Sequence, residues 1–166
     1  MLTLYLIRHA KSDWAKENIP DIDRPLNERG YRDAHFMSKL LKEQKVLPDL
    51  IVSSVATRAI STAMIFSRNL NYDPDKLFLS KSLYGSTAKE YLSVVSKMDD
   101  QYKSVLLFAH NPTITNFANS ITTVFTDHMP TCTIIGIRFK TSEWKNITEA
   151  EADLFMFDFP KKHEQG

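Results

Sequence analysis

Leu2-Thr3-Leu4-Tyr5-Leu6-Ile7-Arg8-His9-Ala10-Lys11-Ser12-Asp13-Trp14 is the stretch on which the reading of this chain turns. Residues 2–7 are apolar or aromatic except Thr3. That is the composition of a strand buried on both faces. The run stops abruptly at a cation and an imidazole. In open α/β sheets ligands bind in the crevice beyond the carboxyl ends of the strands. Arg8 and His9 are therefore expected at such an end, a fixed charge beside a possible nucleophile.

The chain downstream alternates between strands and helices. Lys11 to Asp23 is polar, broken by Pro20, and reads as a loop. Pro25 disfavours helix at Arg24, and Asn27 suits an N-cap for a helix from Glu28 to Gln44 with Ala34, Met37 and Leu41 on one face. Leu50-Ile51-Val52 is a short buried strand, after which Ser53 or Ser54 can cap a helix from Val55 to Leu70. That helix is expected to bury Ile60, Ala63 and Met64, with Arg58 one turn in. Leu77 to Leu79 is a third strand, and Thr87-Ala88-Lys89-Glu90 reads as a capping box opening a third helix with a stripe of Ala88, Tyr91, Leu92, Val95 and Met98. Val105 to Ala109 is a second continuous apolar strand, ending at His110-Asn111-Pro112. Asn111 suits an N-cap and Pro112 the first position of a fourth helix, with Ile114, Phe117, Ala118 and Ile121 at helical spacing. Thr133 to Phe139 and Ala152 to Phe159 read as two strands joined by the polar segment Lys140 to Glu151, and the residues from Asp158 onward as a frayed tail. With no repeat or linker, we expect one domain over residues 1–160 and a tail over 161–166.

Composition excludes several classes. The 166 residues suit one domain with a sizeable core. A net charge of +1 gives no global electrostatic case for nucleic acid or membrane. Cys132 is the one cysteine, which excludes an internal disulfide and is compatible with a reducing compartment. No signal-peptide pattern stands at the N-terminus and no apolar run approaches the roughly 20 residues of a membrane span. A cytoplasmic location is the expectation. With four glycines, neither G-x-G-x-x-G nor a P-loop occurs.

If the sheet is parallel, Arg8, His9, Arg58 and His110 fall on one edge. Two guanidiniums, two imidazoles and helix N-termini make an anion site, most naturally for a phosphoryl group, which Arg forks match bidentately. The fitting chemistry is transfer to His9, a neutral nitrogen nucleophile. Neighbouring arginines are expected to lower its pKa, and an acceptor, typically a backbone carbonyl, to hold its other ring nitrogen. Arg8, Arg58 and His110 would neutralise the equatorial oxygens. Lys11 and Ser12 are candidates to line the site, and Asn111 to contact substrate.

Leu6-Ile7-Arg8-His9-Ala10 resembles the Arg-His signature of the histidine phosphatase superfamily, which includes the phosphoglycerate mutases. Ser53-Ser54, Arg58-Ala59 and Thr62 look like its second arginine motif, and Ala109-His110-Asn111-Pro112 like its second histidine motif. Arg24-Pro25-Leu26 ahead of Gly30 is similar to the small SixA-type phosphohistidine phosphatases. The match covers Leu2 to about Ile121 in the family's order. The resemblance implies a three-layer α/β/α sandwich, mostly parallel, closed by a C-terminal antiparallel hairpin. It implies a phosphohistidine intermediate and neither metal nor cofactor. It carries His9 over as nucleophile, and Arg8, Arg58 and His110 as phosphate ligands. The substrate would be a phosphorylated protein bearing phosphohistidine, or a small phosphorylated molecule.

One departure matters. Many members supply a carboxylic acid after the third strand, where this chain has Ser80-Lys81-Ser82-Leu83-Tyr84-Gly85, with Ser82 about where the acid would stand. General acid catalysis typically contributes about 10²–10⁴-fold. A phosphohistidine substrate needs it less than an ester does, because a leaving imidazole can take a proton on its remote nitrogen. The connections are also short, leaving little chain for a lid. Asp13, Asp21 and Asp23 read as loop carboxylates, Glu90 as a cap, and Arg24 as a substrate clamp or the partner of a nearby Asp. His35, His128 and His163 receive no role. Cys132 to Arg138 formally matches the C-x₅-R signature of cysteine phosphatases, but Thr-Ile-Ile-Gly-Ile between them reads as a buried strand.

Overall fold

The computed structural model describes residues 1–14, 18–123 and 126–164. Its elements are β1 (Leu2–Arg8), α1 (Glu28–Glu43), β2 (Leu50–Ser54), α2 (Thr57–Asn69), β3 (Phe78–Ser80), α3 (Ala88–Ser96), β4 (Ser104–Ala109), α4 (Thr113–Ile121), β5 (Ile134–Phe139) and β6 (Ala152–Asp158). The six strands form one sheet in the order β3-β2-β4-β1-β5-β6. The pairs β1·β4, β2·β4 and β2·β3 are parallel, whereas β5 runs antiparallel to both β1 and β6.

Side chains alternate between the faces of a strand, and in the central strands both faces are apolar. Leu4 and Leu6 of β1, with Val105 and Leu107 of β4, meet Tyr91, Val95 and Phe117 of α3 and α4. Tyr5 and Ile7, with Leu106 and Phe108, meet Met37, Leu41, Ala63 and Phe66 of α1 and α2. The two cores share one sheet, which is the expected α/β/α sandwich with an antiparallel hairpin at one edge. Each fully buried Leu, Ile or Phe contributes about 1.5–3 kcal/mol by leaving water. Among the described residues no helix is long and apolar enough to cross a membrane.

Asn27 caps α1 as expected, its side chain accepting from the Gly30 N–H at 2.8 Å. Thr87 caps α3 by accepting from Glu90 N–H at 3.3 Å. Other details differ. α2 begins at Thr57 rather than Val55, with Ala56 as an N-cap that makes no side-chain bond. Its buried face comprises Arg58, Ala59, Thr62, Ala63, Ile65, Phe66 and Ser67, so Ile60 and Met64 are only half-buried. α4 begins at Thr113, with Pro112 in the cap position, because the Asn111 side chain is engaged elsewhere. The polar segment between β5 and β6 holds a fully buried Trp144, whose indole N–H donates to the Tyr102 carbonyl at 2.8 Å.

The end of the chain does not fray through residue 164. Pro160–His163 form a 3-10 turn with Pro160 buried. The His163 ring stands 5.3 Å from that of Phe36 on α1, and Glu164 lies 3.5 Å from Arg29. The last two residues of the expected tail, 165–166, lie outside the described residues. So do residues 15–17 of the first loop. The rest of that loop is tied down by a bridge between Ser12 and Leu26 and by a 3-10 turn at Asp21–Asp23.

Candidate active site

Strand order brings the two histidines together. Arg8 of β1 pairs in register with Ala109 of β4. His9 and His110 follow directly on neighbouring parallel strands, at their carboxyl ends. The His9 N–H donates to the Ala109 carbonyl at 3.1 Å, and the two rings lie 5.2 Å apart. Both side chains are buried.

His9 Nδ1 is 2.7 Å from the Ala10 carbonyl oxygen. A carbonyl can only accept, so this contact places the ring proton on Nδ1 and leaves the Nε2 lone pair free. Ala10 is itself held, its N–H donating to Thr62 Oγ1 at 3.0 Å while that hydroxyl donates to the Arg58 carbonyl at 2.7 Å. One α2 hydroxyl thus joins the segment orienting His9 to the turn carrying Arg58. His110 Nε2 lies 2.7 Å from Ser54 Oγ. Ser54 Oγ accepts from the Ala56 N–H at 3.2 Å; when its own proton points to Nε2, the ring proton of His110 stands on Nδ1.

Both rings are held neutral. The His9 pKa falls to about 3, through burial first, with His110, Arg58 and Arg8 adding to the fall against the Ala10 hydrogen bond. That of His110 falls to about 4, again through burial first and then Arg58. The expected direction holds, but desolvation outweighs the arginine charges to which it was attributed.

Arg8 donates from Nη1 to the Met129 carbonyl at 2.8 Å. Asn111 Nδ2 donates to the same carbonyl at 3.0 Å, and its Oδ1 accepts from Thr115 Oγ1 at 2.6 Å. Asn111 is therefore a brace for the Arg8 anchor rather than a helix cap. Arg58 donates to the Asp21 backbone carbonyl at 2.7 Å and to Asp21 Oδ2 at 3.1 Å. Arg8 Nε, Arg58 Nε and His110 Nδ1 are buried donors with no hydrogen-bond partner among the described residues. Buried donors are rarely left so. Three converging on one strand edge suit a tetrahedral oxyanion.

Asp21 is a loop carboxylate by sequence, yet it ties the site's flank together. Its Oδ1 accepts from Arg24 Nε at 3.0 Å, and its Oδ2 from Arg58 and from the Tyr84 hydroxyl at 2.7 Å. The Tyr84 hydrogen bond first, then Arg24 and Arg58, hold the Asp21 carboxyl well below the usual range. Tyr84 also faces His110, the rings 5.5 Å apart. Nothing local in the sequence marks Tyr84, and Ser54 stands out only as a candidate cap and in the second arginine motif, not as a partner of His110. Asp21 had one signal, its i,i+3 spacing to Arg24. Arg24 takes up that pairing, donates to Ser12 Oγ at 2.6 Å, and stacks its guanidinium 3.5 Å from the Trp14 ring centroid. Ser12 is thus buried as an Arg24 partner, while Lys11 is exposed and lines a neighbouring cavity with Arg8.

Ser82 is exposed in a 3-10 turn. Cys132 is fully buried, burial pushes its thiol pKa up, and β5 occupies the segment that a phosphate-wrapping loop would need. The cysteine-phosphatase alternative is thereby removed. Among the described residues no three His, Cys, Asp or Glu side chains converge to hold a metal ion.

The family model for the histidine phosphatase superfamily (branch 1) matches residues 4–78. An uncharacterised chloroplast protein of Arabidopsis thaliana is 30% identical over 117 residues, which are 65% of this chain and 53% of that protein. The 2,3-bisphosphoglycerate-dependent phosphoglycerate mutase of Bifidobacterium longum is 45% identical over 64 residues, 37% of this chain and 26% of the enzyme. The chain thus spans about half or less of these curated relatives. A solved structure from Agrobacterium tumefaciens described as a phosphohistidine phosphatase SixA is 26% identical, with a TM-score of 0.79 over 96% of this chain and 98% of that one. The protein histidine phosphatase SixA complexed with tungstate shares the fold at a TM-score of 0.84 and 18% identity, over 98% and 100% of the two chains. With the Arg-His pair, the second arginine and the second histidine gathered on one edge of this sheet, the chain matches the histidine phosphatase superfamily model over residues 4–78 and shares the SixA fold.

Proposed function

We propose that the chain is a phosphatase that carries the phosphoryl group on His9, and that its substrate is phosphohistidine on a cytoplasmic protein. The observation that carries this reading is the 2.7 Å contact from His9 Nδ1 to the Ala10 carbonyl, which frees Nε2 beside Arg8, Arg58 and His110. A binding module would need the cations but not an oriented, neutral imidazole. In the first step Nε2 attacks phosphorus in line, the Nε2–P bond forms, and the bond to the leaving group breaks. Arg8, Arg58 and the His110 Nδ1–H take the charge on the equatorial oxygens, the main source of rate in phosphoryl transfer. Water then attacks the phosphohistidine, releasing inorganic phosphate and returning His9.

The leaving group favours a P–N bond. No carboxylate stands in residues 80–85, and Asp21, the carboxylate beside Arg58, is held ionised and so is a poor proton donor. An imidazole leaving group can be protonated on its remote nitrogen by solvent, whereas an alkoxide needs a donor at the breaking bond. A second reading, a small-molecule phosphomonoesterase or mutase, draws on the phosphoglycerate mutase match over 37% of the chain.

The test is trapping of labelled phosphate together with a substrate panel. Wild type should form an acid-labile phosphoenzyme and turn over phosphohistidine protein faster than p-nitrophenyl phosphate or sugar phosphates. His9→Ala should form none and lose about 10³-fold or more in kcat/KM, the scale of nucleophile removal. Faster turnover of sugar phosphates would favour the second reading. Equal labelling of His9→Ala would end the first.

A further inference from the structure

Arg8 lines a second cavity of about 500 Å³, together with Lys11, Arg29, Asp33, His128 and Lys161. Five segments converge there: the end of β1, the loop after it, the first turns of α1, the loop ahead of β5 and the 3-10 turn after β6. The lining carries four permanent cations, Arg8, Lys11, Arg29 and Lys161, against one carboxylate, Asp33. The whole chain nets only +1, so this is a local concentration of charge. Arg29 is partly neutralised, lying 3.5 Å from Asp33 and 3.5 Å from Glu164. Lys11 and Lys161 have no carboxylate partner among the described residues.

Exposed lysines alone would be ordinary solvated surface. Two features separate this cluster from that. It is concave, and low-dielectric walls focus the field of one-signed charge within a cleft. It also shares the Arg8 guanidinium with the histidine cluster, so an anion seated in it touches the same cation as the phosphoryl group at His9. Arg8 has capacity for both, because among the described residues only Nη1 is committed, to Met129, and its buried Nε has no acceptor.

We propose that this cavity is a subsite for a second anionic group of the substrate, a carboxylate or phosphate covalently joined to the phosphoryl group that reaches His9. The proposal rests on the phosphatase reading and deepens it. The anion can come from an acidic side chain flanking a phosphohistidine or from a second acidic group on a small phosphorylated molecule.

Calorimetry on the intact chain at low ionic strength tests the subsite without turnover. The probes are ω-phosphonoalkanoates of three to six carbons against the alkylphosphonates of equal length. Wild type should bind the best carboxylated probe at least tenfold more tightly than its neutral match. Lys161→Glu should cut that ratio below threefold. Lys140→Glu makes the same charge change beyond the opposite end of β5 and should keep the ratio. Equal affinity for both probe types in wild type, binding of neither, or a ratio that survives Lys161→Glu would overturn the proposal. Turnover then separates the sources, using phosphohistidine peptides with Asp or Asn flanks and 4-carboxyphenyl against phenyl phosphate. Phosphonate selectivity without any turnover would sink the phosphatase reading alone, and turnover without selectivity would sink the subsite alone.

Discussion

Replacing Thr62 with Val removes one buried hydroxyl and little else. The two side chains have nearly the same volume, and Thr62 is fully buried, so no cavity forms. What is lost is the acceptor for the Ala10 N–H at 3.0 Å and the donor to the Arg58 carbonyl at 2.7 Å. The Arg58 carbonyl lies in the first turn of α2 and keeps its helical role. The Ala10 N–H keeps nothing, and a buried donor left unsatisfied costs about 1–3 kcal/mol. For a chain of this size each kcal/mol moves Tm by about 2–4 °C, so a loss of about 4–8 °C is expected at the midpoint of that range. The Ala10 carbonyl orients His9, so its displacement should lower kcat on p-nitrophenyl phosphate more than it raises KM. Thr62→Ser retains both hydrogen bonds and should restore kcat, with a small stability loss from the missing methyl. Thermal unfolding and steady-state kinetics on the three proteins measure this. If Thr62→Val melts within about 1 °C of wild type with kcat unchanged, or if Thr62→Ser is equally impaired, the hydroxyl does not couple His9 to Arg58.

Burial lowers the His9 and His110 pKa values to about 3 and about 4. After correction for substrate ionisation, kcat/KM should therefore be flat from pH 7 to about 5 and fall toward 4, and an enzyme inflection near the unperturbed value of about 6.5 would contradict it. The same shifts make the unfolded chain the better proton binder between the folded values and about 6.5. Their contribution to stability is complete above 6.5 and falls as pH drops through that window, which denaturant titrations across pH would show and His9→Asn would flatten. In Gly30→Ala the new Cβ would stand 2.1 Å from the Lys11 carbonyl oxygen. Overpacking of about 1–3 kcal/mol should outweigh the roughly 1 kcal/mol of helix propensity gained, lowering Tm and turnover together. Cys132→Ser places a hydroxyl in a fully buried apolar position and should cost about 1–3 kcal/mol in chemical denaturation while leaving kcat intact. Loss of turnover there would revive the cysteine mechanism.

The two central strands were legible because burial on both faces leaves no polar residue to blur the run, and β1 and β4 are such strands. Their last residues were therefore legible too, and with them His9, His110 and their shared edge. α2 was misread for the converse reason. Its buried face includes Thr62 and Ser67, whose hydroxyls return to the Arg58 and Ala63 carbonyls, each at 2.7 Å. A count of apolar residues skips such satisfied polar positions and so turns toward Ile60 and Met64. Asn111 fits every local rule for a cap, but its Oδ1 accepts from Thr115 Oγ1 instead, while its Nδ2 donates to Met129, 18 residues on. Asp21 is the sharpest case. Its i,i+3 pairing with Arg24 is local and could be read; its contacts with Arg58, 37 residues away, and Tyr84, 63 residues away, could not. Those distant contacts set its charge and remove it as a proton source, so the absence of an acid in residues 80–85 is not made good by the carboxylate nearest Arg58. The proposed preference for a P–N bond over an ester therefore depends on a tertiary contact, while the proposed nucleophile, His9, stands out within thirteen residues of sequence.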